Sequence, residues 1–154
     1  MKQKNDTILI ISILIPISTG VLSAFFSGDM SVYSRLCKPA FSPPAILFPL
    51  VWIILYALMG LSSYIVYLSD SPHKKKALQV YLLQLLFNFF WSIIFFGFSL
   101  YFIAFIWLLA LLVLVAAMIW QFYMVGPPAA YLQLPYLVWC LYSAYLNFCM
   151  FRLN

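Results

Sequence analysis

Charged residues divide the chain into three long uncharged stretches, residues 7–28, 39–69 and 77–151. These stretches contain 22, 31 and 75 residues, most of them apolar. A helix that crosses a bilayer needs about 20 apolar residues at a rise of about 1.5 Å each. The first two stretches therefore predict one crossing helix each. The third would form a single helix of about 110 Å unless it is broken.

Glycine, serine and proline break the third stretch at two places. Gly97 and Ser99 interrupt it first, and Gly126 with Pro127 and Pro128 interrupts it again, because two prolines fix φ and remove backbone donors. The chain is thus predicted to form one domain, residues 1–154. Its five transmembrane helices are placed at roughly 7–27, 44–68, 77–97, 100–125 and 129–151. Continuous apolar runs disfavour a β-barrel, whose strands alternate in polarity. The predicted fold class is an all-α integral membrane protein, a single bundle of five transmembrane helices.

Composition supports this prediction. Hydrophobic residues make up 67% of the chain and charged residues 7%, whereas about a quarter of a typical globular chain is charged. A soluble domain of this size would leave about a third of its surface in water, so these apolar side chains are expected to face lipid. The run from Ile8 to Phe26 exceeds the 7–15 apolar residues usual in a signal peptide, so we expect it to be a retained helix.

Basic residues predict the orientation. Five helices place the N-terminus, the second loop and the fourth loop on one face, with Lys2, Lys4 and Lys74–Lys76. The other face carries Arg35, Lys38 and Arg152. Five against three favours a cytoplasmic N-terminus. The net charge of +5 therefore indicates topology and lipid contact, and the absence of a continuous basic stripe argues against nucleic-acid binding.

Titratable residues are scarce, which narrows the chemistry. The chain has one histidine, His73, next to three lysines, and it has no glutamate. Its three cysteines, Cys37, Cys140 and Cys149, show no CxxC spacing. No residue predicted to lie inside the membrane can serve as a conventional acid or base, a proton-relay carboxylate or part of a zinc site. We therefore expect no conventional catalytic residues, no metal and no required cofactor.

Uncharged polar and aromatic side chains recur at helical spacing on three of the predicted helices. The stripes are Trp52, Tyr56 and Gly60 on the second helix, Gln84, Asn88 and Trp91 on the third, and Trp139, Ser143 and Asn147 on the fifth. Each stripe alone fits interhelical hydrogen bonding or an interfacial tryptophan belt. Together they could line an aromatic small-molecule pocket. The fourth helix, almost entirely aliphatic from Ile103 to Met118, is expected to face lipid more broadly.

The first loop, residues 28–43, is a second region with many candidate binding residues. Pro43 and Pro44 restrict the backbone at its end, so we expect a structured lid over a pocket. Arg35 and Lys38 could meet ligand carboxylates or, equally, lipid phosphates.

Short motifs spread along the chain carry a resemblance to a known family. They are Tyr33 to Pro39, Pro43-Pro44, Val51-Trp52, Leu55-Tyr56, Met59-Gly60, Gln84-Leu85, Asn88, Trp91, Phe95-Phe96, Pro135 to Leu137, Trp139 and Leu146-Asn147. In this order they resemble the translocator protein family, also called the tryptophan-rich sensory protein or peripheral-type benzodiazepine receptor family. The resemblance covers nearly the whole chain.

The resemblance implies a pocket under the first loop that binds porphyrins, such as protoporphyrin IX, and ligands of the benzodiazepine-receptor class. With the polar stripes, it gives the expected ligand-binding residues: Tyr33, Pro43, Pro44, Trp52, Tyr56, Gln84, Asn88, Trp91, Trp139, Ser143 and Leu146. Family members are frequently homodimeric and bind cholesterol. Bacterial members have been linked to tetrapyrrole handling and light-dependent porphyrin breakdown, so the resemblance implies a bacterial cell membrane.

Two departures from the family pattern matter. Val32 stands where many members have tryptophan before the loop tyrosine, and Phe148 stands where the sterol-recognition pattern needs tyrosine. We therefore give little weight to cholesterol binding. No GxxxG face appears in any helix, so the expected homodimer rests on resemblance alone.

A porphyrin would be bound through its flat ring and its carboxylates. Aromatic side chains can stack on the ring, and Arg35 or Lys38 could pair with a propionate. No histidine is predicted inside the membrane, which favours a metal-free porphyrin over haem. If light drives porphyrin degradation, Trp52 or Trp139 could exchange electrons with it. The alternative function is transport of tetrapyrroles or sterols across the membrane.

Overall fold

The computed structural model describes residues 2–154, with side chains from Asn5 onward. Within that part of the chain every regular element is helical. In chain order the elements are α1 (Lys2–Phe26), α2 (Val32–Arg35), α3 (Leu47–Leu68), α4 (Lys74–Ser92), α5 (Tyr101–Val125), α6 (Pro127–Tyr131) and α7 (Leu134–Leu153). A π-helical turn, Ile93–Gly97, extends α4.

Five helical segments in this range are long and apolar enough to cross a membrane. They are Asn5–Phe26, Leu47–Leu68, Lys74–Gly97, Tyr101–Val125 and Pro127–Leu153, the last formed by α6 and α7 together. The predicted fold class is confirmed. The ends of these five spans differ by up to three residues from those expected, and α1 as a whole begins at Lys2, five residues before the expected start. The third span begins at Lys74 and not at 77, because lysine stems can reach from a membrane-edge helix to the water.

Burial ranks the helices by their exposure to lipid. Only 11% of the α1 span is buried, against 28% for α5 and 33–39% for the other three. The fourth crossing helix therefore faces lipid broadly, as expected, but α1 does so more. Buried residues of α5 nevertheless recur every three or four positions, at Ala104, Leu108, Leu111, Val115, Met118 and Phe122. This narrow stripe packs α5 against α4 and α7.

Small residues hold α1 against its neighbours. A Cβ atom at Gly60 of α3 would lie 2.5 Å from the Cα of Ile13, so the two helix backbones touch there. Further along α1, the Ser23 hydroxyl donates to the carbonyl of Phe89 at 2.7 Å. The Ser27 and Ser92 hydroxyls lie 2.7 Å apart. The peripheral helix is thereby fixed to both α3 and α4.

Candidate functional site

A cavity of about 450 Å³ lies between α1, α3, α4 and the first loop. Its volume is in the range of about 300–1,000 Å³ typical of small-molecule sites. Six aromatic side chains line it: Tyr33, Phe48, Trp52, Tyr56, Trp91 and Phe96. The remaining wall is mostly aliphatic or small, with Asn88 as its one amide.

Ring contacts join the six aromatic side chains of the wall in three pairs. Trp52 stacks on Tyr56 with centroids 5.2 Å apart, since the two residues are one helical turn apart on α3. Tyr33 from the loop meets Phe48 edge to face at 4.9 Å. Trp91 forms an edge contact with Phe96 at 6.4 Å. These contacts leave ring faces and edges available to a flat apolar ligand.

Asn88 is the polar centre of the wall. Its Oδ1 accepts a hydrogen bond from the Tyr56 hydroxyl at 2.8 Å, and its Nδ2 donates to the Tyr136 hydroxyl at 3.1 Å. The Tyr136 hydroxyl donates in turn to Oε1 of Gln84 at 2.9 Å. An amide oxygen accepts two hydrogen bonds and an amide nitrogen donates two. Asn88 is thus oriented by the protein and retains one acceptor and one donor position for a ligand.

Trp91 is oriented in a similar way. Its Nε1 donates to Oδ1 of Asn147 at 3.2 Å, and Nδ2 of Asn147 donates to the carbonyl of Tyr101 at 2.8 Å. The indole nitrogen is therefore occupied by the protein, which leaves the ring of Trp91 as the part that a ligand would meet.

The first loop forms a lid that is tied down at several points. The Tyr33 hydroxyl donates to the carbonyl of Pro43 at 2.9 Å, which closes the loop on itself. The Tyr142 hydroxyl donates to the carbonyl of Phe41 at 2.6 Å. The side-chain amide of Asn154 makes two hydrogen bonds with the backbone of Cys37, at 3.0 and 3.1 Å. The loop is consequently fixed to α7.

The two basic lid residues have different positions. Arg35 forms an exposed salt bridge with Asp29 at 2.6 Å. Hydrogen bonds from Ser31, with a smaller contribution from Arg35, hold the pKa of the Asp29 carboxyl below its usual value. Lys38 places its ammonium 4.7 Å above the Tyr33 ring. Burial of Tyr33 raises the pKa of its hydroxyl.

The structure brings five of the predicted ligand-binding residues to the cavity: Tyr33, Trp52, Tyr56, Asn88 and Trp91. Ser143 and Leu146 line a second, much smaller space of about 20 Å³, which shares Tyr33, Phe48, Trp91 and Phe96 with the main cavity.

The other four predicted residues lie outside both spaces. Gln84 is fully buried one turn beyond Asn88. Trp139 packs behind Phe48, with ring centroids 5.8 Å apart. Pro43 and Pro44 belong to the lid, where the Pro43 carbonyl accepts from Tyr33.

Sequence reasoning missed the contribution of α1. Gly20, Ser23 and Ala24 line the cavity, with Ile17 one turn earlier. Their spacing of three and four along a helix was a usable signal, because small residues on one helical face allow close approach of another helix. Phe48 and Phe96 were also missed as wall residues. Among the residues that the structure describes, no group of three metal-ligating side chains is assembled.

These features define a class: a multi-pass helical membrane protein with an aromatic small-molecule cavity beneath a fixed loop. Residues 12–153 match the TspO/MBR family. The chain belongs to the TspO/MBR family, which confirms the resemblance seen in the sequence. Membership supports a membrane receptor or transporter-like role.

Several relatives span most of the chain. It is 34% identical over 148 residues to the tryptophan-rich protein TspO of Archaeoglobus fulgidus, covering 95% of this chain and 96% of that protein. It is 37% identical over 122 residues to the tryptophan-rich sensory protein of Cereibacter sphaeroides, with 79% and 76% covered. It is 37% identical over 136 residues to the human translocator protein, with 86% and 80% covered.

Proposed function

We propose that this protein binds a flat apolar ring compound of the porphyrin class, represented by protoporphyrin IX, in the cavity between α1, α3 and α4. The observation that carries the proposal is the composition of the wall: six aromatic rings and one amide, Asn88, that retains a free donor and a free acceptor position. Aromatic walls suit a flat ring because stacking and edge contacts need no exact register. Benzodiazepine-receptor-type ligands, being apolar and aromatic, would use the same wall.

Carboxylates of such a ligand would lie towards the lid. Lys38 is the better partner of the two basic residues, because its ammonium lies over Tyr33, a wall residue. Arg35 is already paired with Asp29. A metal-free porphyrin is the preferred ligand because the cavity wall offers neither histidine nor cysteine to a haem iron, and Met30 is its one thioether. The porphyrin is a ligand here, and no further cofactor is part of the proposal.

A titration with protoporphyrin IX tests the binding directly. Purified protein in nanodiscs is titrated in the dark while its tryptophan fluorescence is recorded, and we expect saturable, stoichiometric quenching. Trp91→Ala and Asn88→Ala should weaken binding. Trp120→Ala is the matched control, since Trp120 is 62% exposed on α5 and lies outside the cavity wall. Equal affinities of all three variants and the wild type would refute the site.

Light-dependent breakdown of the bound porphyrin is the accompanying proposal. The ligand would absorb the light and dioxygen would be the oxidant, while a nearby tryptophan exchanges electrons with the excited ring. Trp52 lines the cavity, whereas Phe48 separates Trp139 from it. Trp52 is therefore the better placed of the two.

Transport of tetrapyrroles or sterols is the alternative function, and the name of the human relative, translocator protein, favours it. An assay in reconstituted vesicles would distinguish the two functions. A transporter moves protoporphyrin into the lumen, whereas a binding protein only retains it in the membrane at stoichiometric amounts.

We further propose that the protein lies in a bacterial cell membrane, with its N-terminus in the cytoplasm and with a second copy as partner. The charge difference between the two faces supports the orientation. Labelling of the loop thiol Cys37 in intact cells by an impermeant maleimide, with lysed cells as control, tests the orientation. Cross-linking in native membranes tests the dimer.

A further inference from the structure

Two outer sides of the cavity are bounded by different kinds of contact. On the side of the first loop, hydrogen bonds from Tyr142 and Asn154 hold the lid to α7. On the side that faces lipid, between α1 and α3, the wall consists of apolar side chains such as Val21 and Ile53. Opening the lid requires several hydrogen bonds to break, whereas the side chains of Val21 and Ile53, being apolar, have no hydrogen bonds to lose.

The apolar side of the cavity has an open rim. Val21 on α1 and Ile53 on α3 line the cavity, yet they are 63% and 59% exposed. Val21 lies five residues before the end of α1 and Ile53 six residues after the start of α3. At about 1.5 Å per residue, the rim is about 8–9 Å inside the helix ends. The two spans are about as long as a bilayer's hydrocarbon core is thick, so this depth corresponds to the acyl chains.

Below this rim, α1 and α3 are in close contact. A Cβ atom at Gly20 would collide with the ring of Tyr56, and one at Gly60 would lie 2.5 Å from the Cα of Ile13. Val21 and Ile53, which are exposed and line the cavity, therefore lie on the loop side of these close contacts, beside Trp52 and Tyr56.

We propose that ligands reach the cavity sideways from the hydrocarbon core of the bilayer, between Val21 of α1 and Ile53 of α3, while the first loop stays closed. This inference rests on the proposed function and adds a selection rule to it. Compounds that dissolve in lipid before they bind are admitted, and compounds confined to water are not. We therefore expect the neutral diester of a porphyrin to enter the cavity faster than the dicarboxylate.

Stopped-flow measurements in liposomes test the route, with protoporphyrin dimethyl ester as the probe and tryptophan quenching as the signal. The double variant Val21→Phe with Ile53→Phe narrows the rim. Its control, Val113→Phe with Ile106→Phe, places the same rings at exposed positions of α5, away from the cavity. Asn154→Ala removes a tie of the lid and leaves the rim intact.

A barrier on the route slows movement in both directions. We expect association and dissociation of the rim variant both to slow by about tenfold, equivalent to about 1.4 kcal/mol of added barrier. Because Val21 and Ile53 also line the cavity, the rates and not the dissociation constant test the route. The α5 control and Asn154→Ala should keep the rates of the wild type.

Two results would overturn the route. One is faster association in Asn154→Ala together with unaltered rates in the rim variant, which would place the passage at the lid. The other is faster dissociation with unchanged association in the rim variant, which would make Val21 and Ile53 simple ligand contacts. If the wild type itself shows no saturable quenching, the proposed function fails, and the route fails with it.

Discussion

The Nδ2 of Asn88 donates a hydrogen bond to the hydroxyl of Tyr136 at 3.1 Å, and this bond joins α4 to α7 directly behind the cavity. Both residues are almost fully buried. Because the same hydroxyl donates to Oε1 of Gln84, it links two amides at once. The orientation of the one amide in the cavity wall therefore depends on a tyrosine outside that wall.

Removal of this hydroxyl should destabilise the bundle. Tyr136→Phe leaves the amides of Asn88 and Gln84 without this shared partner, and we expect a loss of about 1–2 kcal/mol in the free energy of unfolding. Thermal unfolding in detergent measures the loss. The matched control is Tyr123→Phe, since Tyr123 is half exposed on α5 and should lose little. Equal losses in the two variants would show that the buried hydroxyl is not important for stability.

Gly20→Ala should impair the site without adding any polar group. The new methyl group collides with the ring of Tyr56, which then shifts against Trp52 and Asn88. We expect protoporphyrin affinity to fall about tenfold, or about 1.4 kcal/mol. Fluorescence titration measures the change. Gly126→Ala is the control: its backbone is extended and no atom lies within 4 Å of the added Cβ, so affinity should be kept.

Lys38 should recognise a carboxylate of the ligand. Lys38→Gln is expected to lower the affinity for protoporphyrin IX by about threefold to tenfold. An exposed ion pair contributes about 0.2–1 kcal/mol to binding, and more when it is partly desolvated. The neutral dimethyl ester should bind the variant and the wild type equally. Arg35→Gln, whose guanidinium is paired with Asp29, should have the smaller effect. A loss of affinity for the ester in Lys38→Gln would contradict an ionic role.

Trp52→Phe should slow light-dependent porphyrin loss more than Trp139→Phe does. Trp52 lines the cavity and Trp139 lies behind Phe48, so electron exchange is faster from the former position. Absorbance of bound protoporphyrin under constant illumination measures the loss, with dark samples as the blank and affinity checked separately. Unchanged loss in both variants would exclude tryptophan chemistry, and a larger effect of Trp139→Phe would reverse the assignment.

The lid carboxylate should titrate at unusually low pH. Hydrogen bonds from Ser31 are the main cause of the lowered pKa of Asp29, with Arg35 contributing less. A lowered pKa in the folded state means that the interaction stabilises the lid at neutral pH and is lost as the pH falls through that pKa. NMR titration of the Asp29 carboxyl carbon should give a value below 3.8. Ser31→Ala should raise it more than Arg35→Gln, and the opposite order would contradict this explanation.

The sequence predicted the five crossing helices because charges mark the ends of transmembrane segments and glycine and proline break them. It also placed Trp52, Tyr56, Asn88 and Trp91 correctly on facing sides of α3 and α4, since helical spacing determines the face of a residue. Spacing does not determine whether a residue on that face reaches the cavity. Gln84 shares a face with Asn88, yet it lies one turn further from the cavity, where Tyr136 covers it.

The contribution of α1 escaped the sequence for a different reason. Its wall residues Gly20, Ser23 and Ala24 are small, and their shared helical face indicates close packing of another helix and not a ligand. Likewise, Ser143 and Leu146 are separated from the main cavity by the rings of Tyr33 and Phe48, whose rotamers depend on tertiary packing. The sequence could predict which face of a helix a residue occupies. Whether that residue reaches the cavity depends on tertiary packing.

The π-helical turn Ile93–Gly97 gives the chain a place where its length can change. The amide of Phe98 bonds to the carbonyl of Ile93, so this turn holds one residue more than an α-helical turn would. Deleting one residue here would let the segment rewind as α-helix and would leave Asn88 and Trp91 in place. The same deletion a turn or two earlier would rotate the side chains beyond it by about 100° around the axis. Insertions and deletions at the end of α4 can therefore reshape the Phe96 end of the cavity while the amide end keeps its register.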